Sequence, residues 1–75
     1  MHLYLRLMKR SAENTYSESE QADLRSFLSG GPGVLVVKTI ERHLRGGYAV
    51  ALDVEDHAPG PLSDYVSSID LMLVL

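Results

Sequence analysis

Asp53, Glu55, Asp56 and His57 gather three carboxylates and an imidazole within five residues, the oxygen and nitrogen donors that a divalent cation takes. The run lacks the turn glycine and the terminal bidentate glutamate of a calcium loop, so no metal is expected, and structural ion pairs are the plainer reading of these charges. His2 and His43 are expected at one end of the sheet, near the start of the third strand, and His57 at the other. That scatter does not suit a three-histidine zinc site. Lys9 and Arg10 are expected beside Asp53, Glu55 and Asp56, with Arg6 close to Asp53, as surface ion pairs worth about 0–1 kcal/mol each.

Other chemistry-bearing patterns have plainer readings. Gly30, Gly31, Pro32 and Gly33 lie where a helix passes into a strand, whereas a phosphate loop runs from strand into helix so that helical N–H groups face the anion. They read as a helix stop. No serine stands in the Gly-x-Ser-x-Gly setting of a hydrolase nucleophile, and the chain has no cysteine. The expectation is a non-enzymatic protein without cofactor.

The elements that hold these residues follow from periodicity. Leu3, Leu5 and Leu7 alternate with Tyr4, Arg6 and Met8, which puts the leucines on one face of a half-buried strand. Ser17 and Glu20 have capping-box spacing at the head of a helix, and Leu24, Phe27 and Leu28 form that helix's apolar stripe. Two β-branched runs flank Gly46 and Gly47. They predict a hairpin with a three-residue loop of Arg45, Gly46 and Gly47, opposing Leu44 with Tyr48, Arg42 with Val50, Ile40 with Leu52 and Lys38 with Val54. The other hairpin face would carry Leu35, Val37, Thr39, Glu41 and His43 beside Ala49, Ala51 and Asp53. Leu62, Tyr65, Val66 and Ile69 fall at helical spacing, with Pro61 at the first helical position, and Leu71 to Leu75 closes the chain as an apolar edge strand whose only charged guard is Asp70.

The order strand, helix, strand, strand, helix, strand, with right-handed crossovers, predicts a single α+β domain over residues 1–75. Its arrangement is ferredoxin-like βαββαβ, a four-stranded antiparallel sheet with two helices on one face and the first and third strands parallel at the centre. The second face is left open.

Composition limits the function classes. The 75 residues carry ten carboxylates against seven Lys and Arg, a formal net charge of −3, the reverse of a nucleic-acid binder's basic footprint. No apolar run approaches the roughly 18 residues of a membrane span, so a cytoplasmic protein is expected. Small domains bury little core and are often reinforced by association.

Leu3, Tyr4, Leu5, Arg6 and Leu7, together with Arg45, Gly46, Gly47, Tyr48, Ala49 and Val50, resemble the paired strand motifs of RNA-recognition-motif domains, and the resemblance is one of shared topology. It implies single-stranded nucleic acid on the open face, with Tyr4 stacking on a base and Arg6, Arg42 and Arg45 on phosphate. Gly47 and Ala49 stand where that family carries stacking aromatics, and Leu52 where another is usual.

The leading expectation is therefore a small acidic protein-binding module, an inhibitor or regulator that occludes a surface of a larger partner. Its profile is similar to that of small phage-encoded antagonists. The residues placed in contact with a partner are Tyr4, Arg6, His43 and Arg45 on the sheet and Glu18, Glu20 and Asp23 on the first helix, with Glu13 in the loop before it. The three helical acids suit a partner with a basic surface, such as a nucleic-acid-binding groove. A homodimer through the open sheet face or the C-terminal edge strand is the alternative use of the same surfaces.

Overall fold

A computed structural model describes residues 1–11, 16–69 and 71–74; Glu13, Asp70 and Leu75 lie outside them. The elements are β1 (His2–Met8), a 3-10 turn (Glu18–Glu20) running into α1 (Gln21–Ser29), β2 (Val34–Arg42), β3 (Tyr48–Val54), α2 (Pro59–Ser67) and β4 (Met72–Val74). The sheet order is β2-β3-β1-β4, and every neighbouring pair is antiparallel. This is the ferredoxin-like α+β arrangement.

The alternation in β1 has the predicted consequence. Leu3, Leu5 and Leu7 are buried with Val50, Leu52 and Val54 of β3, Leu24 and Leu28 of α1, and Leu62 and Val66 of α2. Each fully buried side chain of this size contributes about 1.5–3 kcal/mol, so the leucine face sets the fold. Tyr65 stacks on Phe27 with ring centroids 4.5 Å apart and donates its hydroxyl to the Phe27 carbonyl at 2.7 Å. That contact joins the two helices.

Several expectations are corrected. The central strands β1 and β3 are antiparallel, not parallel, with Leu3 opposite Leu52 and Leu7 opposite Tyr48. The crossover through α1 carries the chain to a β2 that runs parallel to β1, and the hairpin then returns β3 between them in the opposite sense. Asp53 consequently faces His2, while Lys9 and Arg10 lie at the far end.

The hairpin register is also different. Arg42 opposes Tyr48 and Ile40 opposes Val50, so the connection runs from His43 to Gly47, closed by His43 N–H to the Gly47 carbonyl and Gly46 N–H to the His43 carbonyl, both at 3.0 Å. Leu44 stands fully exposed at its tip and does not oppose Tyr48. Two bulges follow, at Lys38 and at Leu35, because Thr39 opposes Ala51, Val37 opposes Leu52 and Val34 opposes Val54. An unbroken ladder would aim Lys38 into the core. The bulge turns its ammonium outward to Asp53 at 3.4 Å and turns Val37 inward, where it is buried and so leaves the open face.

The capping box does not form. Ser17 makes no side-chain cap, and its hydroxyl pairs with that of Ser19 at 2.8 Å. Glu20 instead reaches Lys9 and Tyr48, two charge-assisted bonds that outcompete a solvent-exposed cap. The second helix begins at Pro59, two residues earlier than predicted, and ends before Ile69, which is 45% exposed. Met8 shares the open-face parity of Tyr4 and Arg6, yet it is buried.

Candidate functional site

The face of the sheet opposite the helices forms a shallow groove of about 640 Å³. Pairing sets its rows. Val74, Arg6, Ala49 and Glu41 lie side by side across four strands, and Tyr4, Ala51 and Thr39 form the next row. The two alanines make the floor low because neighbouring side chains rise above a methyl group. Tyr4 is 74% exposed although it sits on a central strand. Residues two apart on one face are about 7 Å apart, which is the span from Tyr4 to Arg6.

Arg6 and Arg45 put two cations at the turn end of the groove, with Glu41 across Ala49 in the row of Arg6. Arg6 donates Nε to the Gly46 carbonyl at 2.9 Å and Nη2 to the Arg45 carbonyl at 2.8 Å, so it braces the turn and keeps its charge, its partners being neutral. Arg45 N–H donates to His43 Nδ1 at 3.0 Å, which fixes that ring beside the groove. Among the described residues neither Arg6 nor Arg45 is paired with a carboxylate. The predicted approach of Arg6 to Asp53 is thus replaced by a contact with the turn, since the antiparallel arrangement puts Asp53 at the other end of β3.

Four of the predicted contact residues, Tyr4, Arg6, His43 and Arg45, therefore converge in this groove. Glu18, Glu20 and Asp23 do not join them. They belong to the helical layer, and Glu20 is committed to Lys9 Nζ at 3.0 Å and to the Tyr48 hydroxyl at 3.1 Å. Those bonds hold its carboxyl below the usual carboxylate range, the Lys9 bond first and the Tyr48 bond next. Burial pushes the Tyr48 phenol above its usual value, a shift opposed by its bond to the Ser17 backbone and reinforced by Glu20. Glu18 and Asp23 are exposed.

The acidic turn does not close around a single point. Asp53 points to His2 Nδ1 and Lys38, His57 Nε2 lies 3.8 Å from Glu55, and Asp56 lies 4.0 Å from the N-terminal ammonium. His2 and His57 thus share the end of the sheet where β3 finishes, and His43 lies at the turn, the reverse of the predicted grouping of His2 with His43. Desolvation raises the Asp53 carboxyl, but Lys38 and His2 outweigh it and leave the group below its usual range. Among the described residues no group of three or more His, Cys, Asp or Glu is placed to hold a metal ion.

The chain matches no protein-family model, no curated protein and no solved structure. No helix of the described residues is long and apolar enough to cross a membrane. Arg42, expected as a phosphate contact, lies over the Tyr16 ring, 4.5 Å from its centroid. Val74 was not foreseen as a groove wall. Its position follows from pairing with Arg6, a register that an apolar run without alternation does not reveal.

Proposed function

We propose that this chain is a non-enzymatic protein-binding module, a regulator or inhibitor that occupies a surface of a larger partner with its open sheet face. The observation that carries the reading is the exposure of Tyr4, 74% on a central strand, above a floor of Ala49 and Ala51 in a groove that Val74 and Thr39 also line. Tyrosine supplies a large, rigid contact at low entropic cost and is enriched where interfaces concentrate their energy. Among the described residues the expected acidic docking surface is reduced to Glu18 and Asp23, because the charge of Glu20 is used within the fold.

Single-stranded nucleic acid on the same face is a second reading, favoured by the Tyr4 ring beside Arg6 and Arg45. Stacking is worth about 1–3 kcal/mol per base, but Arg42 faces the other side and the net charge of −3 repels a polyanion.

The test is affinity capture from lysate with the tagged full chain, with and without nuclease, beside the Tyr4→Ala variant and the Glu18→Lys, Asp23→Lys double variant. A protein retained after nuclease and lost with Tyr4→Ala supports the reading. Loss only with the double variant would move docking to the acidic helix and a basic partner surface. Nuclease-sensitive recovery would favour the nucleic-acid reading.

A further inference from the structure

The groove is asymmetric in charge, and that asymmetry selects a ligand. Arg6 and Arg45 lie at one end with no described carboxylate paired to either, while Glu41 lines the same groove across Ala49. Glu41 stands in the same cross-strand row as Arg6, two strands away beyond Ala49. Repeated anionic groups laid across that row would meet it, whereas a single carboxylate seated over Arg6 and the turn is set apart from it by two strand spacings, about 10 Å.

The apolar part has a fixed offset from the cationic part. Tyr4 and Arg6 are same-face neighbours on β1, so the ring and the guanidinium are set about 7 Å apart along the strand. The same spacing separates side chains i and i+2 of any extended peptide. Ala51 opposes Tyr4 and Ala49 opposes Arg6, which leaves room above both rows for a guest side chain. The cationic end is built in advance, because the bonds from Arg6 to the turn carbonyls hold the turn against the sheet and reduce the ordering cost of binding.

We infer that the groove takes an extended acidic segment of a partner protein. An Asp or Glu of that segment meets Arg6 and Arg45, and an aromatic or aliphatic side chain two residues along lies on Ala51 against Tyr4. The inference rests on the protein-binding reading and specifies the partner's chemistry. It assigns the open face to an acid-bearing strand, not to a basic surface.

The experiment is selection of random heptapeptides displayed on phage against the immobilised full chain. Fluorescence anisotropy of the best recovered peptide is then measured with wild type, Tyr4→Ala and Arg45→Glu, and a labelled twelve-residue oligo-dT is titrated in parallel. Tyr4 and Arg45 are exposed, and an unchanged amide NMR spectrum away from the substitution shows that each variant folds. Recovered peptides should pair Asp or Glu with an apolar residue two positions away. Arg45→Glu, and separately amidation of the peptide's acid, should each weaken binding by about tenfold or more.

Peptides without acidic enrichment, or affinity unchanged in Arg45→Glu, would overturn the inference. If captured protein still depends on Tyr4 in that case, the protein-binding reading stands and only the partner's chemistry is wrong. Oligo-dT binding tighter than any peptide, together with nuclease-sensitive capture, would overturn both.

Discussion

Tyr48, buried at the start of β3, donates its hydroxyl hydrogen to Glu20 Oε2 at 3.1 Å while accepting the Ser17 N–H at 3.2 Å. One phenol thereby ties the sheet to the 3-10 turn before α1. Tyr48→Phe removes both bonds and leaves the Ser17 donor without this acceptor, at a cost of about 1–2 kcal/mol. Urea unfolding followed by circular dichroism measures it, and an unchanged midpoint would show that the hydroxyl contributes nothing.

The pH dependence follows from the same bonds. Glu20 and Asp53 are held below the ordinary carboxylate range in the folded protein. Each therefore contributes stability that is complete above its unfolded value, near pH 4, and is lost as pH falls through the lower folded value. Tyr48 is shifted the other way, so its contribution is complete below about pH 10 and is lost as pH rises through the folded value. The urea midpoint should be level near neutrality and fall on both sides, and Glu20→Gln should flatten part of the acid limb. An acid limb identical to that of wild type would remove Glu20 from the account.

Gly47 adopts a φ of +76°, and a Cβ built there meets the Leu7 carbonyl oxygen at 2.3 Å. Alanine at this position combines left-handed backbone strain with a collision against main chain that cannot swing away. Gly47→Ala should cost about 2 kcal/mol or more. Gly60→Ala is the control, since nothing lies within 4 Å of its Cβ position, and thermal melts of the two variants should differ by several degrees, by about 4 °C or more.

Arg25 donates Nη1 to the Val37 carbonyl at 2.6 Å and Nη2 to the Lys38 carbonyl at 3.4 Å, where the bulge interrupts the ladder. Arg25→Met keeps the aliphatic stem and removes these donors. A loss of about 1 kcal/mol and faster amide exchange confined to β2 are expected. Uniform exchange rates across the sheet would show that the bulge holds itself.

The fold was legible wherever one periodicity ran without interruption. Leu3, Leu5 and Leu7 mark the buried face of β1, and Leu24 with Leu28 and Leu62 with Val66 mark the inward stripes of the helices. The hairpin register was not legible, because a bulge leaves no mark in a run such as Val34 to Val37 that is apolar on both parities. Its position is decided by Asp53 and Arg25, partners distant in sequence. Ser17 and Glu20 mislead for a related reason. Capping spacing is local, while Lys9 and Tyr48, which take the carboxylate, arrive from just beyond β1 and from the start of β3. Tyr4, Arg6, His43 and Arg45 were legible as one set because strand parity and the turn place them together, and the acids of α1 belong to another layer.

The bulges at Leu35 and Lys38 have a consequence for self-assembly. A filament grows only if a molecule offers a regular strand at both margins of its sheet, one to receive a neighbour and one to be received. Here β2, one margin, is broken twice and has two of its carbonyls occupied by Arg25, so it is a poor template for cross-β stacking. The other margin, β4, is three residues long. Neither margin therefore offers the long regular strand on which a growing sheet would template.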